Sequence, residues 1–288
     1  MEPNDELREF LRSRRARLQP ADVGIEPTPG HRRVPGLRRE ELARVAGVSP
    51  DYYMRLEQGR GANVSETVLE AVARALQLNE TERAHLFDLA QPARVRRRAP
   101  ASPQQRVRPG VRLLIDAQQT PAFVIGRRLD ILASNWMARA LMADFDTPEP
   151  TVRNHARWLF LDPSARELSP DWEAIARDDV AVLRLEAGRY PDDRELSALV
   201  GELSVKSELF RRWWAEHDVL RRSHGVKRFC HPLVGALEIT YEALRLPDDP
   251  EQTLFIYNVE PGSRSEQAMR LLASLTELPL ERAAATAS

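Results

Sequence analysis

The chain has 288 residues, 42% apolar and 30% charged, which is long enough for two domains that each bury a core and excludes a fibrous or disordered polymer. A formal net charge of −1 gives no global sign of nucleic-acid binding but leaves room for a local basic face. The single cysteine, Cys230, excludes an intramolecular disulfide and suits a reducing compartment. No apolar run reaches the about 18 residues of a membrane span, and MEPNDELREF is acidic where a signal peptide would be basic.

Leu7 to Leu18 (LREFLRSRRARL) patterns as an amphipathic first helix. Gln19 to Gly36 then holds Pro20, Pro27, Pro29, Pro35, Gly24, Gly30 and Gly36, and is too long for a plain interhelical turn. It reads either as a wing over phosphates carrying His31, Arg32 and Arg33, or as an ordered insertion. From Leu37 to Ala46, helical spacing puts Leu42, Val45 and Ala46 on one side and leaves Arg38, Arg39, Glu40 and Arg44 to solvent. Gly47 supplies the positive φ of a sharp turn, and Val48 plugs the corner. Ser49 and Pro50 start the next helix: a side-chain acceptor at the N-cap, then proline at the first helical position. Tyr53 and Leu56 face inward, Gly59 ends the helix, and Ala43 is small where the two helices cross. Ser65 caps a fourth helix with Val68, Leu69, Val72, Ala73 and Leu76 on its inner face. Asn79 with Glu82 opens a fifth, through Leu89.

Two short helices joined by a glycine turn, with a small residue at their crossing, make a helix-turn-helix. LARVAGVSPDYYMRLEQGR resembles that of Xre-type (phage repressor-like) transcription regulators. The resemblance implies a five-helix repressor-like domain over residues 1–90, with the second motif helix in the major groove of a duplex operator. Ser49, Pro50, Asp51, Met54 and Arg55 point outward from that helix, and Arg38 and Arg39 stand before it. Arg55 is the best candidate for a base contact, since its fork matches guanine O6 and N7. Gln58 and Arg60 meet either phosphate or neighbouring protein, and Tyr52 takes either role. Asp51 either favours the helix N-terminus or accepts from cytosine N4.

Residues 91–110 read as a basic, proline-rich linker. From Gln91 to Ile115 there are seven arginines, no acidic residue, and Pro92, Pro100, Pro103 and Pro109. It is either a solvated tether or a tether that also touches phosphates. Lys206 and Lys227 are the chain's two lysines among 42 basic residues, which reads as base composition of the genome.

Residues 111–280 mix strands and helices, ahead of a tail at 281–288. Ala122–Ile125 and Asp130–Ser134 read as a hairpin around 126–128, followed by a helix from Trp136 to Met142. Further helices are predicted at Trp172–Leu185, Asp193–Leu203, Val205–Ala215 and Ser265–Leu275. Between the last two lie three strand-like runs, GVKRFCHPLVG, ALEITYEALRLP and QTLFIYNVEP. The order is that of a PAS-like domain, a five-stranded antiparallel sheet with helices covering one face, so the fold class is α followed by α+β.

FVIGRRLDILASN, RWLFLDPSAREL, DWEAIARDDVAVLRLEAGRYPDD, LVGELSVKSELFRRWWAEHDV, GVKRFCHPLVGALEITYEAL and EPGSRSEQAMRLLASL resemble the ligand-binding domain of MmyB-like transcription regulators. That resemblance implies a bacterial regulator whose PAS-like sensor has an apolar pocket able to accept a fatty acid. Candidate lining residues are Trp136, Trp158, Phe160, Trp213, Trp214, Tyr241 and Tyr257, with Arg157 or His231 as the polar anchor for a carboxylate. Ordinary core packing also accounts for such aromatics. The expected partners are duplex DNA, a small apolar or fatty-acid-like ligand and a second copy of the chain, in the cytoplasm at the nucleoid. No membrane partner, cofactor or metal is expected. A zinc site at His217, His224, Cys230 and His231 lacks the usual motif spacing. No nucleophile-elbow, HExxH or phosphate-loop sequence supports an enzyme. A ligand-independent repressor whose C-terminal domain only dimerises is the competing reading, and an enzyme fused to a DNA-binding module comes after it.

Overall fold

The computed structural model describes residues 3–26, 36–59, 64–91, 105–147, 149 and 151–285. The chain divides into two compact units. The first is Met1–Ser102 with Arg184–Leu199 and Arg212–Arg221; the second is Pro103–Leu183, Val200–Arg211 and Arg222–Ser288.

The first unit opens with α1 (Pro3–Arg17) and a 3-10 turn at Pro20–Val23, followed by α2 (Arg39–Ala46) and α3 (Pro50–Glu57). Then come α4 (Glu66–Ala75) and α5 (Glu80–Ala90). The starts of α3, α4 and α5 have the predicted chemistry. Ser49 Oγ accepts from Tyr52 N at 3.1 Å, Ser65 Oγ accepts from Val68 N at 3.3 Å, and Asn79 and Glu82 form a reciprocal capping box. Gly47 adopts φ +67°, so the turn between α2 and α3 uses the left-handed region that glycine enters without strain. Phe10, Leu11, Leu42, Ala43, Tyr53, Leu56, Leu69, Val72 and Leu86 form the buried core, and Ala43 has no exposed surface at the α2–α3 crossing. Val45 is a correction: it lies on the flank of the apolar stripe and is exposed. Leu185 and Val219 join this core, and they come from the two C-terminal segments of the unit. His31, Arg32, Arg33 and Arg60 lie outside the described residues, as do residues 92–104 of the basic run.

The second unit is built on a five-stranded antiparallel sheet in the order β2-β1-β5-β4-β3: β1 Ala122–Ile125, β2 Ile131–Ser134, β3 His224–His231, β4 Gly235–Arg245 and β5 Thr253–Asn258. All five strands fall where the apolar runs and turn residues predict them. Sequence reading missed three short helices, α6 (Pro109–Asp116), α8 (His155–Leu161) and α9 (Pro163–Leu168), which have eight residues or fewer and so carry little periodic signal. α6 also corrects the expectation of helices on one face. Its Val111 and Ile115 pack with Ala122, Val124, Ala133 and Leu254, residues of the face opposite Phe123 and Phe255. α7 (Trp136–Leu141) is capped by the buried Asn135, whose side chain accepts from Ala122 N and Ala138 N and donates to the carbonyls of Ile115, Gln118 and Thr120.

The remaining helices are α10 (Trp172–Arg189), α11 (Arg194–Lys206), α12 (Glu208–Trp214) and α13 (Arg264–Ala285). α10 and α13 run beyond their predicted ends. Val205 and Lys206 belong to α11 rather than to the following helix, which starts where Ser207 Oγ accepts from Phe210 N at 3.2 Å. The first unit takes in α10 from Arg184 onward, the start of α11 and the end of α12. No described helix is long and apolar enough to cross a membrane.

Candidate functional site

On the first unit, α3 presents Asp51, Met54, Arg55 and Gln58 to solvent and keeps Tyr52 half-buried. Ser49 and Pro50 are exposed at its N-terminus, Arg38 is exposed at the N-cap of α2, and Glu40 and Arg44 are exposed on α2. These residues form an exposed, mostly polar face on a helix, and a major groove admits an α-helix. Arg39 has a second attachment that its sequence position does not disclose. Its Nε and Nη2 lie 3.1 and 3.0 Å from Glu57 Oε1, which holds the guanidinium charged. Glu57 is fully buried at the end of α3, and Arg15 of α1 grips it from the other side, Nη2 to Oε1 at 3.2 Å and Nε to Oε2 at 3.3 Å. Arg15 also donates to Leu37 O at 2.6 Å. One carboxylate with two guanidiniums thus fixes the pose of α3 against α1 and α2. Sequence reading missed Glu57 because a glutamate near a helix C-terminus reads as solvated.

The same unit holds a second ionic cluster. Arg14 Nε is 2.8 Å from Glu82 Oε1, and Nη2 donates to His217 O at 2.8 Å. Arg184 pairs with Glu6 at 2.6 Å, donates to Trp214 O, and stacks 3.8 Å from the Trp214 ring centroid. His85 packs edge-on against Phe10, with ring centroids 5.0 Å apart. Burial, then the charge of Arg184, pushes His85 and His217 each down to about 3, so both are neutral at pH 7.

On the second unit, one face of the sheet carries a continuous aromatic surface. Phe123 and Phe255 stack at 5.2 Å and Phe123 meets Tyr257 edge-on at 5.3 Å. Tyr241 lies 5.8 Å from Phe255 and 6.1 Å from Tyr257, and Phe229 lies 6.2 Å from Tyr257. Gly225 makes room for this surface: a Cβ there would come within 2.9 Å of the Tyr241 ring. Lys227 occupies the next position on that face, buried, its Nζ donating to Tyr257 Oη at 2.9 Å and sitting 5.3 and 5.4 Å from the Tyr241 and Tyr257 ring centroids. Burial, reinforced by Arg222, brings its pKa down to about 7 against the opposing pull of Asp179 and Asp178. Beside it, Asp179 is fully buried between His155 Nδ1 at 2.7 Å and the Arg222 guanidinium. Burial alone would raise the Asp179 carboxyl, yet these two partners hold it well below the usual range. Burial raises the neighbouring Asp178.

The sequence-predicted ligand residues divide. Tyr241 and Tyr257 belong to the aromatic sheet face, and Trp158 is buried against His155 and Phe145. Phe160 instead packs with Phe210 at 5.2 Å and Trp172 at 5.9 Å, and Trp136 is partly exposed at the start of α7. Trp213 and Trp214 fall in the first unit. Of the two predicted anchors, Arg157 Nε is engaged by Glu202 at 2.8 Å, and His231 Nε2 lies 3.1 Å from Ala140 O. Sequence reading did not single out the buried polar groups beside the aromatic face, Lys227, Arg222, Asp179 and His155. Lys227 had a readable signal, since it occupies a buried-phase position between Gly225 and Phe229 in an alternating strand. Among the described residues, no three His, Cys, Asp or Glu side chains converge as metal ligands.

Comparison with known families matches both halves. Residues 107–272, more than half of the chain, match the MmyB-like transcription regulator ligand binding domain, and residues 6–86 match a helix-turn-helix domain. No protein of curated function matches the chain.

Proposed function

The chain belongs to the family of MmyB-like transcription regulators, and on that premise we propose that its DNA binding is controlled by a small apolar or amphipathic ligand held in the C-terminal domain. That it is a DNA-binding transcription regulator follows from a helix-turn-helix domain joined to that ligand-binding domain. The observation that carries the finer reading is the aromatic sheet face, Phe123, Phe255, Tyr257, Tyr241 and Phe229, in the matched domain. Such a surface gives an alkyl chain or ring large contact area at little entropic cost. The sheet order supports a PAS-like sensor, and a fatty acid is the simplest ligand of this character.

The reading face on α2 and α3 (Arg38, Ser49, Pro50, Asp51, Tyr52, Met54 and Arg55, flanked by Arg39, Gln58 and Arg60) engages the operator, with Arg55 reading a guanine. One repressor-like domain covers only a few base pairs, so a homodimer spanning two half-sites about one helical turn apart supplies operator affinity. The regulator works at the nucleoid.

Operator titrations in the presence of C10–C18 fatty acids test the control. A ligand at 100 times its Kd adds about 2.7 kcal/mol to the stability of the form that binds it, and a coupling of about 1–3 kcal/mol to DNA makes a working switch. A melting temperature unmoved by every amphiphile would leave the C-terminal domain as a dimerisation platform. Light scattering of the full chain at micromolar concentration tests the dimer.

A further inference from the structure

Lys227 is unusual among the charged residues of the second unit in what surrounds it. Asp179 is taken by His155 and Arg222, and Arg157 by Glu202. The Lys227 amine has three donors and one hydrogen bond, to the neutral Tyr257 hydroxyl, and no described carboxylate lies within 4.0 Å of it. Burying an amine this way is costly unless its remaining donors find acceptors. Two further buried donors belong to the same region. Ser134 stands opposite Phe123 in the sheet register, on the aromatic face, and its hydroxyl has no hydrogen-bond partner among the described residues. Trp158 Nε1 likewise has none, and its ring lies 5.6 Å from that of His155, the partner of Asp179. Across the sheet the order is therefore Ser134 on β2, Phe123 on β1, Phe255 and Tyr257 on β5, Tyr241 on β4 and Lys227 on β3. Buried donors at both ends of an aromatic floor suit a ligand with acceptor oxygens on an apolar body.

We infer that Lys227 is the polar anchor of the ligand site, binding the anionic oxygen head of a carboxylate ligand whose apolar part lies along Tyr241, Tyr257, Phe255 and Phe123. This rests on the reading of the C-terminal domain as a ligand sensor and names its recognition chemistry. Asp178 and Asp179 do not forestall it. Asp179 is committed to its two partners, and burial biases Asp178 toward its neutral form. The anion completes the coordination of the amine while the neighbouring arginine remains paired.

The test is calorimetric titration of the full chain with three probes of equal length: dodecanoate, dodecanol and dodecyltrimethylammonium. Wild type is expected to bind dodecanoate roughly 10- to 100-fold tighter than dodecanol, as one charge-assisted hydrogen-bonded pair implies. The ammonium should bind weakest. Lys227→Met should remove the preference while leaving dodecanol affinity near wild type, and Lys227→Arg should restore much of it. A lysine with only a structural role would not move this head-group ratio. Equal binding of carboxylate and alcohol by wild type, or a preference that survives Lys227→Met, overturns the anchor while leaving the apolar-ligand reading standing. Failure of wild type to bind any of the three overturns the ligand reading itself. If Lys227→Met does not fold by circular dichroism, the wild-type ratio and the Lys227→Arg titration decide alone.

Discussion

Two buried charges, Glu57 in the first unit and Lys227 in the second, have opposite surroundings. Glu57 has both carboxylate oxygens engaged by Arg15, with Arg39 adding a second guanidinium, so every lone pair of consequence is satisfied within the fold. Lys227 has one neutral partner and two aromatic rings. A buried charge that is fully coordinated fixes a pose, here that of the DNA-reading helix. A buried charge with spare donors costs stability and is useful only when something else brings the acceptor.

The largest expected effect separates the two directly. Glu57→Gln leaves Arg15 buried without its counter-ion and should destabilise the first unit by about 3–5 kcal/mol. Lys227→Met should leave the unliganded protein as stable or more so, because it replaces an under-coordinated amine with an apolar chain of similar length. Urea melts of the two variants read the signs, and a large loss from Lys227→Met would break the contrast.

pH gives the next contrast. His85 and His217 are held down to about 3, so the unfolded chain takes up protons below the ordinary value of 6.5 that the folded first unit refuses. Its stability is therefore lost as pH falls from 6.5 toward 3. Lys227 is lowered from 10.5 to about 7, so the folded second unit sheds its proton before the unfolded chain does. Its stability should rise as pH climbs from 7 to 10.5, by at most about 1.4 kcal/mol per unit, against a background set by Arg222, Asp178, Asp179, His155, Tyr241 and Tyr257. Lys227→Met should flatten that rise. A flat wild-type profile over the same range would put the amine in contact with water.

Smaller effects sharpen the role of the first unit. Arg55→Ala should cost roughly 1–3 kcal/mol at a cognate site and little on random DNA, measured by competition titration. An equal loss on both makes Arg55 a phosphate contact. Gly47→Ala should cost about 1 kcal/mol, since its φ of +67° is strained for a Cβ although no neighbouring atom lies within 4 Å of one there. A loss of several kcal/mol would show that the turn cannot relax.

The sequence by itself determined the parts governed by local rules. Ser49, Ser65 and Asn79 mark helix starts because a side-chain acceptor must meet free N–H groups, and Gly47 marks a turn because only glycine takes its φ cheaply. β3 to β5 were legible from alternation and β1 and β2 as short apolar runs around a turn, and both families from motifs long enough to be specific. What only the tertiary structure decided is who meets whom over long sequence separations. Leu185 and Val219 complete a core begun at Leu7, and Arg15 reaches Glu57. Arg157 and His231, plausible anchors by type, are engaged by Glu202 and by a backbone carbonyl. Lys227 stands out in the sequence only as one of two lysines, and the fold turns it inward against Tyr257 with no described carboxylate within 4.0 Å. Propensity and periodicity act over a few residues, whereas the desolvation and pairing that give a charge its role depend on groups the chain brings together only when it folds.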